Sequence, residues 1–194
     1  MNFLGHLYFS NGDHQLMHAN LLGDFVKGSD LSMYPAEIEK GIRLHREIDH
    51  YVDHHPVVLE TIHELYIPLP KVAGIAIDLY FDHVLSKRWT DYHEVPLTEF
   101  IQGFYESKIE YEEVYSPKYL YMLEKMRKKN WLEQYQYMSG LTKACQGVSR
   151  RISFPNSLTE GPAVFTDFEE KIVKTFITFM KDAIPHHKAF LNDL

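Results

Sequence analysis

The segment AGIAIDLYFDHVLSKRW, residues 73–89, carries Asp78, Asp82 and His83 in an otherwise apolar run. At helical spacing Asp78 and Asp82 share one face. Ile75, Leu85 and Trp89 lie on or beside that face, and Ala76, Ile77, Phe81 and Val84 lie on the opposite sides. Carboxylates buried there without partners are strongly destabilising, so arginines, a shared proton or a metal ion must compensate. The segment GIRLHREIDHYVDHHP has the same property: His45 and Asp49 interrupt an apolar arc made by Leu44, Ile48, Tyr51 and Val52, and Asp53 continues their line. Asp24 sits among Leu21, Leu22, Phe25 and Val26 in NLLGDFVKG, and His6 stands in the apolar stretch MNFLGHLYF.

Imidazoles and carboxylates projected inward from several helices make a divalent-metal site. Imidazole with carboxylate suits Mn, Fe or Zn, and carboxylate with water suits Mg or Mn. A structural zinc site usually uses several thiolates, and Cys145 is the only cysteine. The competing reading is a structural His/Asp network. In that reading His6 is a hydrogen-bonded core histidine, Asp24 is a cap or the partner of Arg43, and Asp53, His54 and His55 simply end a helix, where a cationic histidine suits the dipole.

These residues need helices to position them, and helical periodicity dominates the chain. Expected helices cover 3–9, 15–27 (stopped at Gly28), 35–54, 57–66, 71–92, 97–111, 117–129, 131–138, 141–152 and 167–184, the last either ending there or continuing past Pro185. Gly140 reads as the separator of two of them and 155–162 as a loop. The fold class is all-α, a single multi-helix domain over 1–194. The length suits one core. No apolar run is long enough for a membrane span, the N-terminus lacks the basic region of a signal peptide, and one unpaired cysteine suits a reducing cytoplasm. A net charge of −7 with neutral histidines argues against nucleic acid as a partner.

The motifs MNFLGHL, NLLGDFVKG, GIRLHREIDHYVDHHPVV and AGIAIDLYFDHVLSKRW, followed by NWLEQYQYMSGL and GVSRR, resemble in order and spacing those of the acyl carrier protein phosphodiesterases. The resemblance implies an all-α fold distantly related to the HD phosphohydrolases. It also implies removal of the 4′-phosphopantetheine arm from holo-acyl carrier protein with a divalent metal, Mn or Mg. It makes Asp24 the essential aspartate and places His6, His45, Asp49, Asp78, Asp82 and His83 at the other polar motif positions. The adjacent His-Asp pair of HD enzymes is absent; its nearest equivalents are Asp82-His83 and the spaced His45 and Asp49.

On this reading His6, Asp24, His45, Asp49, Asp78 and Asp82 hold the metal or orient the attacking water, and His45 or His83 protonates the departing serine oxygen. Acyl carrier proteins are acidic, as is this chain, so recognition needs a local basic patch. Arg43, Arg46, Lys87, Arg88, Arg150 and Arg151 are the candidates for phosphate and partner. Two alternatives share the residues: an HD-like phosphohydrolase acting on a nucleotide or other small phosphoester, and a non-enzymatic helical binding protein with a structural His/Asp core.

Overall fold

The computed structural model describes residues 1–194, folded into ten α-helices without strands. In chain order they are α1 (Phe3–Phe9), α2 (His14–Leu22), α3 (Ala36–His54), α4 (Pro56–Leu65), α5 (Ala73–Lys87), α6 (Leu97–Glu106), α7 (Pro117–Lys129), α8 (Trp131–Gln134), α9 (Met138–Ser149) and α10 (Gly161–Asp193). No helix is long and apolar enough to cross a membrane.

Local chemistry sets several ends. Asp13 caps α2 by accepting from Gln15 N at 2.9 Å and Leu16 N at 3.1 Å. Glu37 and Glu39 lie in the first turn of α3, where the helix dipole favours negative charge. Ser116 caps α7, and Pro117 occupies its first turn.

Several expected bounds shift: the helices expected over 71–92, 97–111 and 131–138 end early, at Lys87, Glu106 and Gln134. The second helix stops at Leu22, and a 3₁₀ turn at Gly23–Phe25 carries Asp24 outward. A Cβ at Gly23 would strike the His45 ring, so only glycine permits that approach. Gly140 lies within α9, because its bare Cα packs on the carbonyl of Gln134. The last helix begins at Gly161 and continues through Pro185 to Asp193, its later turns packed through Phe179, Met180, Ala183 and His187.

One connected hydrophobic core draws buried residues from all ten helices. Its tightest seam joins α2 to α3, where a Cβ on Gly41 would collide with Ala19 and the backbone at Asn20. That seam, with α1 and α5 alongside, brings Asn20, His45 and Asp49 next to His6 and Asp78.

Candidate active site

A cleft of about 450 Å³ opens between the start of α1, the Asp24 turn, α3, α5 and the ends of α7 and α9. Its lining joins the polar residues His6, Asp24, Asp49, Asp53, Asp78 and Arg151 to apolar side chains.

His6 is 3% exposed. Asn20 Nδ2 donates to His6 O and to Ser10 Oγ, which leaves Asn20 Oδ1 to accept from His6 Nδ1 at 2.9 Å. The Nδ1 proton is thereby assigned, and Nε2 points the other way. Nε2 meets Asp49 Oδ1 at 3.1 Å and Met1 O at 3.0 Å, both of which can only accept. Burial, reinforced by His45, depresses the His6 pKa against the pull of Asp49. With Nδ1–H on Asn20, Nε2 either carries a proton to these acceptors or turns a lone pair to a cation held between it and Asp49.

His45 stacks on His6 with ring centroids 4.2 Å apart. Its Nε2 lies 3.2 Å from Asp49 Oδ2 and 3.6 Å from Asp24 Oδ1, while its buried Nδ1 has no partner. Burial opposes the charge on this ring, but Asp24 and Asp49 overcome it and lift the pKa to about 9. Asp24 experiences the converse: burial raises its pKa, and the His45 contact outweighs this and holds the carboxyl below its usual range. The Asp24 and Asp49 side chains remain 50% and 44% exposed, so both carboxylates reach the cleft.

His6, His45 and Asp49 thus offer three ligand atoms within 4.8 Å of one another. Atoms that share an ion with bonds near 2.1 Å lie about 3 Å apart, close to the separations of Asp49 from each imidazole. An assigned tautomer, an orienting amide behind His6 and converging carboxylates are what a divalent ion requires. The donor set fits one.

The other sequence candidates divide. Asp78 faces the cleft, but its Oδ1 lies 2.9 Å from the Met1 ammonium. Burial works against the charge of that ammonium, yet Asp78 and Asp49 keep its pKa raised. Asp82, expected as a metal ligand, instead accepts from Leu4 N at 2.7 Å and Gly5 N at 3.0 Å with both oxygens. It is fully buried, and burial lifts its pKa to about 7. Asp82 anchors the N-terminus of α1 and so holds His6 in place.

His83, expected as a general acid, lies a further 100° around α5 and away from the cleft. Its ring stands perpendicular to Phe165 and its Nδ1 lies 2.5 Å from Tyr135 O. It is not among the residues that line the cleft.

Of the basic candidates, Arg43 pairs with Glu39, Lys87 with Glu169 and Arg88 with Asp91. Arg46 donates to Gly28 O at 2.7 Å and so ties down the loop beyond Asp24. None of these four lines the cleft. Arg150 is exposed, and Arg151 reaches the cleft wall.

The sequence offered no reason to single out Asn20, since its role depends on a carbonyl and a hydroxyl of α1 and its end. Asp53 was visible one turn beyond Asp49 but read equally as a helix end; it lines the cleft, and burial and then Asp78 raise its pKa.

The profile of the family described as "Acyl carrier protein phosphodiesterase" matches residues 1–183. The chain belongs to the acyl carrier protein phosphodiesterase family. Among its relatives, proteins named acyl carrier protein phosphodiesterase from Enterobacter sp. (strain 638) and Klebsiella pneumoniae (strain 342) are each 32% identical over 152 residues, 78% of this chain and 79% of the relative. One from Photorhabdus laumondii is 34% identical over 155 residues, 78% of this chain and 77% of the relative. No solved structure matches the chain. For an acyl carrier protein phosphodiesterase family member, the matched region takes in every cleft residue described above.

Proposed function

We propose that this protein is a phosphoric diester hydrolase that releases 4′-phosphopantetheine from holo-acyl carrier protein, with a divalent ion held by His6, His45 and Asp49. Family membership supports the substrate. The observation that carries the site is the convergence of His6 Nε2 and His45 Nε2 on the two oxygens of Asp49. Bound there, Mn or Mg would offset phosphoryl charge and acidify a water.

The chain's own residues do the rest. Asn20 keeps His6 in the tautomer that presents Nε2 to the cleft. Asp24, ionised and open to solvent, orients the attacking water on the phosphorus and accepts its proton. The leaving serine oxygen needs a proton. A ring nitrogen engaged as a ligand has none to give, so Asp53 is the acid that remains on the cleft wall. Asp82 keeps α1 docked, and Asp78 restrains the first residue. The free, buried thiol of Cys145 suits the reducing cytoplasm in which we place the reaction.

The test is to incubate the protein with holo-acyl carrier protein and Mn, Mg or chelator and to weigh the carrier by intact mass spectrometry. Loss of the phosphopantetheine mass with metal and not with chelator is expected. An unchanged carrier in every condition would overturn the proposal.

A further inference from the structure

The cleft lining has two chemically different sets of residues, and a metal ion explains only the histidine and carboxylates. Four carboxylates, those of Asp24, Asp49, Asp53 and Asp78, face it. A phosphodiester is an anion, and these carboxylates repel it. Apart from the Met1 ammonium, already paired with Asp78, one permanent cation lines the cleft, Arg151. Its guanidinium has no carboxylate partner, in contrast to Arg43, Lys87 and Arg88. It lies two residues past α9, near Tyr135, whose hydroxyl accepts from the cleft residue Asn2 at 2.8 Å. Phe25, Ile75, Leu79, Met122 and Val148 supply the apolar part of the same lining. A cavity of this size takes a small organic group, not a folded surface.

We infer that Arg151 is a substrate-binding residue that holds the phosphoryl oxygens, and that the apolar lining of the cleft receives the uncharged, dimethyl-bearing start of the pantetheine arm. This assignment rests on the hydrolase reading above. A guanidinium binds two phosphoryl oxygens through parallel N–H donors. Held there, the phosphorus lies in the cleft that the carboxylates share while the arm packs on its apolar lining, and the carrier protein stays outside. The cleft therefore selects a phosphate ester with a neutral, partly apolar substituent over one with a second charge.

The test uses the full chain with Mn and four proteins: wild type, Arg151→Gln, Arg151→Lys and Arg150→Gln. Arg151 is exposed, so these changes leave the fold intact. On holo-acyl carrier protein, Arg151→Gln should lower kcat/KM by about 10- to 100-fold. Arg151→Lys should restore part of it as a point charge, and Arg150→Gln should stay within about threefold. By calorimetry, 4′-phosphopantetheine should bind Arg151→Gln at least about tenfold more weakly than wild type, whereas pantetheine, which lacks the phosphate, should bind both equally. Equal 4′-phosphopantetheine affinity in wild type and Arg151→Gln would overturn the assignment. So would an equal loss in Arg150→Gln, which indicates a diffuse field, or a parallel loss of pantetheine binding. Wild type that leaves holo-acyl carrier protein intact would overturn the hydrolase reading alone, and the two small-ligand affinities would still decide the role of Arg151.

Discussion

Helix α3 borders two histidine clusters of opposite character, giving His45 and Asp49 to one and Glu47 and Tyr51 to the other. At the cleft, His45 and His6 direct Nε2 atoms at one half-exposed carboxylate, Asp49, with Asp24 alongside. On the α10 side, His55 lies 3.4 Å from Asp182, His186 lies 2.7 Å from Glu47 and stacks on Tyr51, and His187 meets no polar partner at all. His187 packs its ring against Phe9 and Tyr51. The second cluster has more imidazoles, three against two, but each carboxylate serves a single ring. A ligand site is set by convergence of lone pairs on one point, not by the number of histidines. The second cluster is packing.

The largest effect that would break this contrast is at Asp49. Asp49→Ala removes the carboxylate shared by both imidazoles, and metal-dependent turnover should fall more than about 100-fold, beyond what loss of an outer partner causes. An Asp49→Ala protein that keeps wild-type turnover of the carrier would show that the cluster is as structural as its neighbour.

Asn20→Ala should weaken metal binding, read by titration calorimetry, by about 10- to 100-fold, because His6 loses the acceptor that fixes its tautomer. Unchanged affinity would mean that His6 is not a ligand.

On the other cluster the expected readout is stability. The buried His187 has its pKa depressed by burial, then by His186, His6 and the Met1 ammonium, to about 3, against 6.5 for the free side chain. Between those values the unfolded chain binds a proton that the folded chain does not, so stability falls as pH falls below 6.5. At pH 5 this single group costs about 2 kcal/mol. His18, also held near 3 by burial, adds a similar loss. His187→Leu should recover about 2 kcal/mol of the drop in unfolding free energy between pH 7 and pH 5, measured in urea, with carrier turnover unchanged. The same drop in both proteins would show that His187 titrates normally.

The smallest effect belongs to His83. His83→Gln should cost about 1 kcal/mol through its contact with Tyr135 O and leave kcat/KM within about threefold. A large loss of turnover at full stability would return His83 to the active site.

Much of the fold was legible because proline, glycine and the 3.6-residue apolar period act locally. The ends of α1 and α7 follow from Asn11-Gly12 and from Ser116-Pro117 and Asn130, the last with φ of 47°. The ends of α5 were not legible: Lys71 adopts a φ of 67°, and the chain tightens to a 3₁₀ turn at Trp89–Asp91, where ring packing overrides local preference. Within the site, the pairs His45/Asp49 and Asp78/Asp82 stood out as polar breaks in apolar faces. Helical spacing alone could not say what stands opposite each break.

By itself the sequence determined an all-α chain, two helices with i, i+4 polar pairs directed inward, the isolated Asp24 and His6, and the family motifs that connect them. Those are properties of composition and period. The tertiary structure decided that Asp82 meets the amides of α1, that His83 turns to Phe165, that Asn20 sets the His6 tautomer and that Arg151 faces the cleft. Each depends on an approach between segments far apart in the chain. A carboxylate becomes a ligand, a cap or an ion-pair partner according to which donor packing brings within about 3 Å of it.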